Sequence, residues 1–125
     1  MIALALISAL GVLTALAVLQ VLLVFGAPLG RFVWGGQHEV LPTGLRIGSA
    51  ASVVIYAAIG MLLLSRAGVI GGDGTFVRVA TWVIFGYFSL GILVNAISRS
   101  RPERFTMTPV VTILALATFA VALAD

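Results

Sequence analysis

Four apolar stretches, residues 2–25, 47–64, 76–97 and 109–124, occupy most of a chain of 125 residues. A soluble domain this small cannot bury so much apolar sequence, so the solvent must be lipid. Composition agrees: 62% of residues are hydrophobic, 9% are charged and the mean hydropathy is +1.24. Soluble domains carry about 25% charged residues. A hydrocarbon core about 30 Å thick needs about 20 helical residues. The first stretch is 24 residues long with Gln20 as its only strongly polar member, and the third is 22 with Asn95 near its end. The second and fourth, at 18 and 16, borrow flanking residues such as Leu45 or Met107. The expected spans are therefore about 2–25, 46–65, 76–97 and 107–124, in a single domain covering 1–125.

The spans should be helices. Barrel strands alternate apolar and polar residues, whereas these runs are continuously apolar. A helix also satisfies each backbone polar group within its own segment, as lipid demands. The fold class expected is all-α: a membrane-embedded bundle of four transmembrane helices with a long interfacial first loop. Ala15-Leu16-Ala17 looks like a signal-peptidase site. No positive charge precedes this apolar run, however, and it is longer than the usual core of about 7–15 residues, so it reads as a span.

Charge sets an expected topology. All seven basic residues are Arg, which together with abundant Ala, Val and Gly suggests a GC-rich bacterial genome. Arg31, Arg46, Arg99, Arg101 and Arg104 border the first and third loops, against Arg66 and Arg78 on the other side. Short Arg-rich loops stay in the cytoplasm. Five against two predicts a multi-pass protein of the cell inner membrane with both termini outside the cytoplasm. The pI near 10.7 comes from the same residues. It reflects topology and anionic lipid, and no nucleic-acid partner is expected. Absence of Cys excludes disulfides, thiolate metal sites and cysteine nucleophiles.

The only long connection is residues 26–46, GAPLGRFVWGGQHEVLPTGLR. Its Pro and Gly residues break any long helix, while Phe32, Val33 and Trp34 suit a membrane interface, so a re-entrant or interfacial element is expected. The Gly71-Gly72-Asp73-Gly74 run reads as a tight external turn. Residues 98–104 read as a short basic loop, with Thr108 and Pro109 as N-cap and first-turn proline of the last helix.

Small residues at i+4 spacing mark helix-packing faces. Gly48, Ser52, Tyr56 and Gly60 form one such stripe, and Tyr87, Gly91 and Asn95 another. They would either seal a monomeric bundle or offer a face to a homo-oligomer or larger membrane complex.

Candidate chemistry gathers at the first and third loops. Arg31, His38, Glu39 and Arg46, with Asn95 and Arg99, would form a cluster for a ligand or lipid head group. The plainer alternative is a set of salt bridges in which Glu39 and Glu103 pair neighbouring Arg. His38 is the only histidine. With Glu39 it would supply at most two metal ligands, so no metal site is expected. No cofactor is expected, and no catalytic triad, HExxH or nucleotide loop is present. Asp73 and Asp125 should lie on the opposite face from His38. No ionisable residue falls in the middle of a span, which disfavours a proton-coupled carrier.

The residues Phe25-Gly26-Ala27-Pro28-Leu29-Gly30, Trp34-Gly35-Gly36, Val40-Leu41-Pro42 and Leu45-Arg46 resemble an FGxPxG…WGG…VLPxxLR pattern. The pattern is that of a family of small, uncharacterised bacterial four-span integral membrane proteins. Arg101-Pro102-Glu103-Arg104 and Thr108-Pro109-Val110 are in keeping with that resemblance. It implies four membrane helices and assigns no catalytic residue. The leading expectation is a non-enzymatic accessory or interaction subunit of the lipid bilayer, binding itself or a larger complex. The alternative is a small oligomeric permease or channel for a small solute or anion.

Overall fold

A computed structural model describes residues 2–72 and 74–124. Asp73 and Asp125 lie outside the described residues, so their expected placement is not addressed. Among the described residues four long helices form a bundle: α1 Ile2–Val24, α2 Thr43–Arg66, α3 Thr75–Ala96 and α4 Arg101–Leu123. Each is long and apolar enough to cross a membrane. Two single 3₁₀ turns, Gly30–Phe32 and Trp34–Gly36, fill the connection between α1 and α2.

The first two helices end in the same way, for a reason visible in their sequence. Gly26 and Gly68 take positive φ values of 93° and 80°. Beside Gly26, the Ala27 N–H reaches Leu22 O at 3.0 Å and the Gly26 N–H reaches Leu23 O at 3.1 Å. Beside Gly68, the Val69 N–H reaches Leu64 O at 2.9 Å and the Gly68 N–H reaches Ser65 O at 3.0 Å. This paired closure satisfies the last carbonyls of each helix and requires a left-handed residue, which glycine adopts without steric cost.

The start of α4 corrects the sequence reading. Its N-cap is Ser100, whose hydroxyl accepts from the Glu103 N–H at 3.4 Å, with Pro102 in the first turn. Thr108 and Pro109 fall inside the helix. Ser100-Arg101-Pro102-Glu103 is a capping box. In this one the Ser98 hydroxyl links the two ends, accepting from the Ser100 N–H at 3.2 Å and donating to Glu103 Oε1 at 2.5 Å. Residues 101–104, expected as loop, are thus the first helical turn. Pro109 has no N–H to offer the Phe105 carbonyl four residues back. The Thr112 hydroxyl donates to a different carbonyl, Thr108 O, at 2.7 Å. Likewise α2 begins at Thr43, earlier than the apolar run suggests, with the Arg46 N–H bonded to Pro42 O at 3.0 Å.

Packing is uneven. α1 packs on α2 and on α4, and α3 packs on α4, while α2 and α3 touch only sparsely. The main core joins Leu6, Ala9 and Leu13 of α1 with Ile59 and Leu63 of α2, Phe88 of α3 and Leu114, Ala115 and Val121 of α4. Most of this core fills the half of the bundle nearest the α2–α3 turn. A second cluster, Leu23, Val33, Leu41 and Met107, fixes the first loop against the opposite end. Outward-facing Ile7, Val54, Val83 and Leu116 are exposed, as lipid-facing side chains should be.

Candidate functional site

The first loop folds back on itself. The Gly30 N–H donates to Glu39 O at 2.8 Å. A Cβ at Gly30 would overlap the His38 carbonyl, so only glycine allows this closure. Beyond it, Trp34, Gly35 and Gly36 have φ values of 50°, 76° and 71°. Positive φ is uncommon for a residue as bulky as Trp. The turn seats the Trp34 indole against α2, where Nε1 donates to the buried Ser49 hydroxyl at 3.2 Å. A Cβ at Gly48 would come within 2.9 Å of that ring.

The start of α4 holds the same loop from the other side. The Gly35 N–H donates to Glu103 Oε2 at 3.3 Å, and the Ser100 hydroxyl donates to Arg31 O at 2.5 Å. Glu103 is buried, at 8% exposure. Its recorded partners are a hydroxyl and an amide, where the sequence suggested an arginine. The first and third loops therefore do meet, through Glu103 and Ser100 rather than through the Arg cluster.

Beneath this junction lies a cavity of about 280 Å³, bordered by all four helices and by Phe32, Val33 and Trp34. Its wall carries aromatic rings and a few polar groups. Gln20 of α1 is 5% exposed, and its buried Oε1 has no hydrogen-bond partner. A buried amide oxygen without a partner costs about 1–3 kcal/mol. The oxygen itself is enclosed by protein and presents no accessible surface to the cavity. Asn95 donates from Nδ2 to Gly91 O at 2.8 Å, and Ser52 donates to Gly48 O at 3.0 Å. Both border the cavity beside Tyr56, Tyr87 and Glu103. Helices α2 and α3 both line it, and these two helices touch each other only sparsely.

Most residues of the expected ligand cluster do not border this cavity. Arg31 is exposed, with its guanidinium 5.0 Å over the Phe32 ring. His38 and Glu39 are exposed, and the backbone of the pair does the structural work at Gly30. Arg46 donates from Nε to Leu41 O at 2.8 Å and lies against Gly26. Arg99 is exposed. Of the proposed ligand cluster only Asn95 borders the cavity. Among the described residues no three His, Asp or Glu side chains come together as a metal site.

The helix-packing stripes divide as well. Gly48 receives Trp34, Gly60 faces Leu10 of α1, and Gly91 faces Val111 of α4. Ser52, Tyr56 and Tyr87 belong to the cavity wall, which Gly91 also joins. Gln20 and Glu103 carry the polar chemistry that sequence reasoning missed. Their signals were a single amide in an otherwise apolar span and the Ser-x-x-Glu box at 100–103.

Comparison with protein-family models, with curated proteins and with solved structures finds no match for this chain.

Proposed function

We propose that this is a multi-pass protein of a bacterial inner membrane that binds a small membrane-dissolved molecule in the cavity between its helices. The supporting observation is a cavity of about 280 Å³ between the four helices, apolar over most of its wall, with Tyr56, Asn95 and the buried Glu103 among its few polar groups. Ligand sites are typically apolar hollows with a few placed polar groups, which describes this wall. The Arg-rich first and third loops support an orientation with the cavity in the cytoplasmic half of the bilayer and both termini outside. The opposite half is filled by Leu6, Leu13, Ile59, Leu63 and Val121. A single chain so packed favours holding a ligand over conducting one, and the sparse contact between α2 and α3 suits entry from lipid.

Native mass spectrometry of the protein released from its own membranes in mild detergent tests this reading. The wild type should retain a defined small molecule that Ser52→Phe, which fills the cavity, does not. Loss of every adduct from the wild type at low activation, or equal retention by both proteins, would remove the reading.

A further inference from the structure

Among the described residues Glu103 is the only charged side chain bordering the cavity. Its carboxylate is buried and held by Ser98 and Gly35, neither of which carries a charge. The helix N-terminus and these two donors offset part of the carboxylate's charge, and a cation in the cavity would offset more of it. Five aromatic rings share the wall: Phe32, Trp34, Tyr56, Tyr87 and Phe88. Phe88 is buried at 3% exposure, whereas Trp34 and Tyr87 are exposed and therefore stand at the rim. Aromatic faces attract cations, and walls of several rings recognise alkylated ammonium groups. No arginine borders the space, so nothing there neutralises an anion.

We propose that the cavity binds an alkylated ammonium group, with Glu103 as counter-charge and the rings of Tyr56, Phe88 and Trp34 as its cage. The proposal rests on the cavity being a ligand site and names the chemistry it selects. A volume of about 280 Å³ lies just below the usual range for small-molecule pockets, about 300–1,000 Å³, which suits a head-group-sized occupant. A free lipophilic cation and the head group of a choline lipid share this chemistry.

The test uses the full chain, carrying Trp82→Phe so that Trp34 alone reports, in nanodiscs of phosphatidylglycerol. Benzyltrimethylammonium, its uncharged carbon isostere neopentylbenzene and the anion benzylphosphonate are each titrated against Trp34 fluorescence. The cation should bind at least about tenfold more tightly than either of the others. Glu103→Gln should remove most of that preference, and Phe88→Leu, which leaves the loop anchor alone, should weaken cation binding several-fold. In nanodiscs of mixed phosphatidylcholine and phosphatidylglycerol, native mass spectrometry then separates the sources. Retained phosphatidylcholine that the cation displaces identifies a lipid head group, and cation binding without it identifies a free cation. Equal affinity for cation and isostere, or tighter binding of the anion, overturns the ammonium assignment while leaving the cavity as a ligand site. Absence of binding by all three probes, together with no molecule retained from native membranes, overturns both.

Discussion

The backbone N–H of Gly35 donates to the carboxylate of Glu103 at 3.3 Å, across 68 residues of sequence. That bond ties the glycine turn of the first loop to the first turn of α4, directly over the cavity. The loop is thus part of the site's wall. Its Phe32 and Trp34 rings border the cavity while Val33 and Leu41 anchor it below.

Capping at Ser100 rather than Thr108 has a measurable consequence. Ser100→Ala should lower stability by about 1–2 kcal/mol, through loss of the N-cap and of the bond to Arg31 O. Thr108→Ala should change stability by less than about 0.5 kcal/mol, since the Thr108 hydroxyl has no partner. Denaturant unfolding in detergent micelles, followed by helical circular dichroism, compares the two. A larger effect at Thr108 would reverse the assignment.

Glycines in the first loop should differ sharply in tolerance. Gly30→Ala forces a methyl group into the His38 carbonyl and should abolish the loop closure, giving rapid proteolysis between α1 and α2. Gly35→Ala meets open space and carries only the left-handed penalty of about 1–2 kcal/mol. Gly44→Ala, in the first turn of α2 with nothing nearby, should stabilise by up to about 1 kcal/mol. Limited proteolysis of the three variants in membranes ranks them.

Gln20 should show opposite effects on stability and on binding. Gln20→Leu removes a buried oxygen with no partner, so the ligand-free protein should gain about 1 kcal/mol. The same change should reduce ligand retention. Thermal unfolding of delipidated protein, paired with native mass spectrometry, reads both. A destabilised variant with undiminished retention would mean that the amide serves packing alone.

At the far end of the bundle, Arg66 is 5% exposed and donates to the carbonyls of Ala122 and Ala124. It closes the C-terminus of α4, where the last helical carbonyls lack internal partners. Arg66→Ala should cost about 2–3 kcal/mol, and Arg66→Lys should recover only part, because an ammonium cannot reproduce the planar fork. Hydrogen exchange in the last turn of α4 should rise in the same order.

The four spans were legible because lipid permits apolar side chains on every face of a helix, leaving continuous runs that no soluble segment shows. Helix starts were harder. Arg101, Glu103 and Arg104 look like loop by charge, yet the Ser98–Ser100–Glu103 hydroxyl network makes them a first turn. The stripe Gly48–Ser52–Tyr56–Gly60 showed which side of α2 is occupied but not by what. Spacing along one helix cannot distinguish a helix partner from the Trp34 indole or an open cavity. The cavity itself follows from sparse contact between α2 and α3, a relation between distant segments with no local pattern. Of the expected ligand cluster only Asn95 borders the cavity, and none of its arginines does.

Because the chain has no cysteine, single thiols placed by substitution probe the cavity without background. Ser52→Cys lies on the cavity wall, whereas Leu63→Cys lies in the closed half, at a fully buried position. In native membranes a small maleimide should label Ser52→Cys on the order of tenfold faster than Leu63→Cys, since thiol reactivity follows access. An alkylated ammonium probe should slow the first rate and leave the second unchanged. Equally slow labelling at both positions, with no effect of the probe, would contradict an accessible ligand cavity between these helices.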